Sequence, residues 1–453
     1  MKGHESRRGG ASMRYAFVNS AYDPAGRNIR GHMESLLEQG WRKRLREKGV
    51  ECAFVEVAGR LIHADRIDSE LKADAIVFLS RHTSHHPAPM LTVHAPGNFG
   101  SAELGGSIYQ FPPACPALMR AVLVQLHLNA PSGYHTTYEA THHGPTEIDT
   151  PCLFLEIGST EKEWCDPVAG FSTARSMLLA LCTPLSDAIP LLGLGGDHYA
   201  TRATRIALAS RGAFGHIVPA REVQGLEKSH LARLMERTGA RAAYIDRQSL
   251  ERKEVEKLDS LLCLLQLPLL GEKEIEGLGE LDLDTYLAIR ELARGIYPDS
   301  HVHIDRLAGS GAPVECVVPE DLLAEALRAD RAGILGGVKA LPVCHLTGEN
   351  GNLLPCFITF EKWRSQVIND LIRLCIQTII GCKKTSIDGD CLIILESRFD
   401  PEKARMLGIP AGSLYKKLSR GEAVELEGKR IAPEMVQTWS QRVLHIPELE
   451  RYR

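Results

Sequence analysis

Short apolar runs bounded by turn residues alternate with helix-spaced segments through the first part of the chain, and this order confines it to an α/β architecture. Strands are predicted at Tyr15 to Val18, Cys52 to Val57, Ala75 to Leu79, Leu91 to His94, Cys152 to Ile157, Ile189 to Leu194 and Ala242 to Ile245. Helices are predicted at Ile29 to Lys48, Cys115 to Leu128, Lys162 to Cys182, Tyr199 to Ser210, Leu226 to Thr238 and Gln248 to Leu265. The expected fold is a mainly parallel central sheet flanked by helices. The acidic, Gly-rich stretch LPLLGEKEIEGLGELDLD reads as a domain edge near residue 275. Beyond it helices at Leu283 to Ile296 and Trp363 to Ile380, with strands at Val314 to Val318, Leu354 to Phe360 and Cys391 to Leu395, predict a smaller α+β domain over 276–453. Residues 1–12 are expected to be a disordered extension ahead of a domain over 13–275.

Composition narrows the class of function. With 53 Lys+Arg against 57 Asp+Glu the net charge is -4, so no overall basic field advertises nucleic acid and any such contact is local. No apolar run reaches the roughly 18 residues that span a bilayer, and no signal-peptide core follows the charged start. A cytoplasmic, monomeric protein is expected. The 12 cysteines include no CxxC pair, so neither a zinc finger nor a redox motif is written, and most are expected to be reduced, buried thiols. Histidine is uneven: ten of the 18 fall between His82 and His216, about twice an even density.

The polar residues gather at strand ends, where an open α/β sheet converges side chains on one crevice. One strand runs into Ser80, Arg81 and His82; another ends on His94 before Gly97 and Asn98; YEATHHGP carries Glu139, His142 and His143; and LFLEIGS buries Glu156 among apolar neighbours. A carboxylate in that setting is paired, metal-bound, poised for proton transfer or hydrogen-bonded to backbone. A lone strand histidine is more often structural than a ligand. The tandem His142-His143 cannot both face one metal in a regular strand, although a loop, as Gly144-Pro145 suggests, permits it. HExxH is absent. The segment LLGLGGDHYATR reads as a strand, a Gly-rich turn at Gly195 and Gly196, His198 and a helix, either a tight helix start or an anion cradle. A second such turn, FGHIVPA, carries His216.

Five blocks in order, SRHTSHHPAPMLTVHAPGNFG, YEATHHGPTE, CLFLEIGSTEKEW, GLGGDHYATRAT and FGHIVPA, make residues 13 to about 270 resemble the archaeal and plant type of D-aminoacyl-tRNA deacylase. The resemblance implies a fold similar to nucleoside phosphorylases and peptidyl-tRNA hydrolases, zinc dependence, and hydrolysis of the ester joining a D-amino acid to the tRNA 3′-terminal ribose. The assignment expected from it is catalytic roles for His82, Glu139, Glu156 and His198. Substrate binding falls to Ser80, Arg81, Gly97, Asn98, Gly195, Gly196 and His216, and metal ligation to His94, His142 and His143 for Zn2+. Cys165 is not expected to be a nucleophile. The partner implied is the 3′ end of D-aminoacyl-tRNA.

The later half resembles an extra region found in some family members. Its closing segment is also similar to that of tRNase Z enzymes, although HVHIDR at 301–306 lacks the last His of their metal signature. Residues 401–453 hold ten Lys+Arg against seven Asp+Glu, a local phosphate-binding patch or a solvated face. The residues alone leave open a nucleoside phosphorylase or peptidyl-tRNA hydrolase-like enzyme, and a non-catalytic tRNA-binding protein with structural histidines.

Overall fold

The computed structural model describes residues 12–84, 86–426 and 428–452. The extension expected at residues 1–12 therefore lies outside the described residues except for its last position. Two compact units divide at Leu278 and Gly279.

The first unit holds nine strands: β1 Met13–Ser20, β2 Val50–Val57, β3 Ala75–Thr83, β4 Met90–His94, β5 His135–Tyr138, β6 Cys152–Ser159, β7 Ile189–Leu194, β8 Gly212–Val218 and β9 Ala242–Ile245. They form two sheets rather than one: β2-β1-β3-β6-β4-β5, parallel except where β4 meets β6, and an all-parallel β8-β7-β9. β1, β3 and β6 are buried on both faces, the reason their sequences read as continuous apolar runs. β5 and β8 escape sequence reading, since HTTY is polar and GAFGHIV is interrupted by glycine.

The predicted helix from Ile29 to Lys48 is broken. A helix α1, Pro24–Leu36, gives way to a π turn at Leu37–Trp41 before Arg42–Glu47. Gly40 sits at φ 110°, open to glycine because it has no Cβ. The segment from Lys162 to Cys182 is likewise two helices, Glu161–Trp164 and Pro167–Leu181, because Pro167 has no amide to donate and Asp166 caps the second helix at Val168 N (2.8 Å).

The second unit is α+β, as expected. It holds a four-stranded antiparallel sheet, a three-stranded one and a hairpin, with helices Glu320–Val338 and Arg364–Cys382 over an apolar core that includes Leu322, Phe357, Leu371 and Ile394. Within HVHIDR, Asp305 lies 2.8 Å from His345 Nδ1, and His303 stacks on His345. Glu325, fully buried, is held by Arg328, Lys383 and Arg442. Among the described residues no helix is long and apolar enough to cross a membrane. All twelve cysteines are free, five of them buried, and Cys165 is exposed.

Candidate active site

Strand register builds the floor of the site. On β6, Glu156 lies between Ser80 of β3 and Thr92 of β4, while Gly158 faces His82 and Phe154 faces His94. Cross-strand partners share a face and alternate residues return to it, so His82, Glu156 and His94 project from one side of the sheet. Gly158 makes room for the imidazole, since a Cβ there would lie 2.7 Å from His82 Cβ.

Two loops close over this face. The segment after β5 supplies Glu139, His142 and His143, and the segment after β7 supplies His198 and Tyr199. A bridge between Glu139 and Tyr199 ties them together, with Ala140 N donating to His198 O at 2.8 Å and Ala200 N to Tyr138 O at 3.1 Å. The tandem histidines lie in a loop, and His143 takes a left-handed φ of 50°. The sheet rule against a shared target therefore does not apply, and the two rings sit 4.3 Å apart.

Glu139 is the hub, only 1% exposed. Its carboxylate is 3.1 Å from His82 Nδ1, 3.0 Å from His198 Nε2 and 3.5 Å from His142 Nε2. None of these approaches is aligned as a hydrogen bond, so both oxygens are buried without a directional donor. Burial opposes ionisation, but His198 and His82 outweigh it and hold Glu139 well below the usual carboxylate range. Burial alone would lower His82. Glu139 and Glu156 reverse that and raise it to about 11, so His82 is a cation. Its Nε2–H then donates to Tyr199 Oη at 2.8 Å. Glu156, 3.7 Å from His82 Nδ1, is pushed up to about 7 by burial, with Glu139 adding to the shift and His82 opposing it.

Beside this pair sits a neutral histidine triad. Burial lowers His94 strongly, His142 to about 3 and His143 to about 4, the neighbouring imidazoles adding to it. Neutral imidazole is the ligating form. His142 Nδ1–H donates to Ala140 O (2.8 Å) and His143 Nδ1–H to Gly144 O (2.7 Å), leaving each Nε2 with a lone pair. His94 Nε2 and His143 Nε2 are 3.3 Å apart, about the spacing of two nitrogens sharing a tetrahedral ion at ~2.0–2.1 Å. His94 Nδ1 is buried without a partner. Donor atoms lie within 4.8 Å of one another in three sets: His94, His142 and His143; His82, Glu139 and His198; and His94, Glu139 and Glu156. The first unit can therefore hold a metal in this buried His and Glu cluster.

A cavity of about 640 Å³ opens over the cluster, lined by Ser80, Arg81, His82, His142, His143, Glu156 and His198 among others. Glu139 and His94 lie just beneath. Five expected binding residues do not line it. Asn98 is buried and donates to Gly105 O (2.7 Å), and Gly97 gives way to Phe111 and Thr141, whose side chains would meet a Cβ there. The Gly195 amide donates to Val218 O (2.8 Å) and the Gly196 amide to Ser249 Oγ (2.7 Å), so these two amides are engaged within the protein. His216 is fully buried, its ring bonded to Pro112 O (2.9 Å) and Thr141 Oγ1 (3.1 Å). Tyr199 and Asp23 line the cavity although sequence reading passed over them. Tyr199 adjoins His198, and Asp23-Pro24 is a helix N-cap signature at a strand end.

A D-aminoacyl-tRNA deacylase family model matches residues 69–270. The D-aminoacyl-tRNA deacylase of Methanoculleus marisnigri is 48% identical over 97% of this chain and 100% of its own length, and that of Methanosphaerula palustris 47% over the same shares. The Methanosarcina mazei deacylase is 34% identical over 57% of this chain and 92% of its own. The crystal structure of the conserved protein of unknown function AF0625 is similar with a TM-score of 0.54 and 29% identity, covering 59% of this chain and 98% of that one. Identity of this extent along nearly the whole length places the chain in the D-aminoacyl-tRNA deacylase family.

Proposed function

We infer that the chain is a hydrolase that cleaves the ester between a D-amino acid and the 3′-terminal ribose of tRNA, releasing both. The observation that carries this reading is the union, in one cavity, of a buried histidine triad whose donor atoms lie within 4.8 Å of one another with a carboxyl that burial raises to about 7 and an imidazole beside Glu139 and Glu156. The unit ending at Leu278 performs the chemistry, and the protein acts in the cytoplasm as a monomer.

His94, His142 and His143 would hold Zn2+, whose bound state supplies Lewis acidity and lowers the pKa of water. The chain's own groups do the rest. Glu156 takes a proton from the attacking water and returns it to the leaving ribose oxygen, so the ester and water become acid and alcohol. His82 gives its Nε2–H to Tyr199, which leaves the phenol proton free to point into the cavity, where negative charge grows on the carbonyl oxygen. Glu139 keeps His82 charged and His198 in place. His198, a third exposed, faces the substrate. Ser80 and Arg81 border the opening.

Zinc content tests the metal assignment directly. Wild-type protein is expected to carry about one Zn2+ per chain by elemental analysis, and His143→Ala to lose it while keeping its circular dichroism spectrum. Equal zinc in both, or none in the wild type after zinc loading, refutes the triad as the ligand set.

A further inference from the structure

The cavity over the cluster is also lined by arginines. Three of these come from separate chain segments: Arg60 after β2, Arg81 on β3 and Arg221 after β8. Arg81 lies 5.1 Å over the Trp164 ring, whose Nε1–H donates to His82 O at 3.0 Å, so this cation is fixed beside the catalytic strand. Arg60 is exposed, and Arg221 is 63% exposed with its neighbour Glu222 3.5 Å away. Of the carboxylates lining the cavity, Glu156 lies on the floor. Asp23 is already engaged by the amides of Ala25, Gly26 and Arg81 and the Ser80 hydroxyl. Asp23 and Glu222 offset two of the three guanidinium charges, leaving an excess of one positive charge among these groups. Tyr22 lines the same cavity, its amide donating to Ser20 Oγ at 3.2 Å while the residue is 78% exposed.

An exposed aromatic ring and arginines lining one cavity suit a base with phosphate beside it. Guanidinium forks match phosphate oxygens, and any base can stack on an aromatic face. We propose that Tyr22, Arg60 and Arg221 clamp the terminal nucleotide of the substrate, Tyr22 stacking the base and the two arginines binding the phosphate on its 5′ side. The ester then hangs inward toward the histidine and carboxylate cluster. This inference rests on the reading of the cavity as a tRNA-ester site.

The clamp is tested apart from hydrolysis by the affinity of full-length protein for a fluorescent single-stranded RNA ending in CCA. Arg60→Gln and Arg221→Gln should each weaken binding about tenfold and make the log–log salt dependence shallower by about 0.7 for each phosphate the variant no longer holds. Tyr22→Ala should weaken it about tenfold, with Tyr22→Phe restoring it. In turnover the same losses fall on KM for D-tyrosyl-tRNA rather than on kcat. For the arginine variants they exceed by about tenfold the losses on 3′-O-D-tyrosyl-adenosine, which has no phosphate. Affinity within twofold of wild type in both arginine variants, with unchanged melting temperatures, overturns the clamp. Tight RNA binding that depends on these residues but leads to no hydrolysis of any ester upholds the clamp and refutes the hydrolase reading.

Discussion

Sealing a carboxylate away from water costs several kcal/mol unless charge or hydrogen bonds replace the lost hydration, and at Glu139 the replacement comes from imidazoles. That arrangement divides the nearby groups by protonation: His82 stays charged, the His94 triad stays neutral, and Glu156 is left near 7. A base must be ionised to act, so kcat/KM should fall about tenfold per pH unit below 7 and level off above it. Glu156→Gln should lower kcat about 100-fold or more and abolish that limb. A pH profile unchanged by the substitution would assign the limb to another group. Glu156 was legible in sequence because a carboxylate inside LFLEIGS demands an explanation. Glu139 was found by its block rather than by its burial, since YEATHHGP reads as polar. The turn glycines at 195 and 196 and His216 have the composition of a binding loop, yet their polar groups are spent on Val218, Ser249, Pro112 and Thr141. Such partners lie far away in sequence, so no local pattern betrays them.

The strands do more than carry residues to the cavity, because their register sets which of them meet. The antiparallel pairing of β4 with β6 puts Thr92 beside Glu156 and His94 beside Phe154, on which its ring stacks at 5.2 Å. Sequence reading found seven of the nine strands in this unit, but apolar patterning is silent about pairing, so the antiparallel β4 and the second sheet were not foreseen. The same limit applies to close approaches. Gly26 lets α1 lie against β3, where a Cβ would come within 2.3 Å of Leu79 O, and Gly158 lets His82 stand upright. Gly158→Ala should push His82 away from Glu139 and Tyr199. We expect at least a tenfold loss in kcat/KM and a stability loss of about 1–3 kcal/mol by urea denaturation. Wild-type values for both would mean the strands can part to admit the methyl.

For the molecule as a whole, a net charge of -4 argued against a nucleic-acid partner. It averages over a chain in which Arg60, Arg81 and Arg221 line one cavity. The Methanosarcina mazei relative aligns over 276 residues, close to the length of the unit ending at Leu278. A truncation after Leu278 should fold cooperatively and keep kcat on D-tyrosyl-tRNA within about threefold. A hundredfold loss from a well-folded fragment would give the second unit a part in catalysis. The most direct measurement follows release of amino acid from D- and L-tyrosyl-tRNA by the purified full-length protein, before chelation, after it, and after Zn2+ is restored. The predicted result is hydrolysis of the D ester alone, lost with the chelator and regained with zinc. Equal hydrolysis of both esters, or of neither, would contradict it.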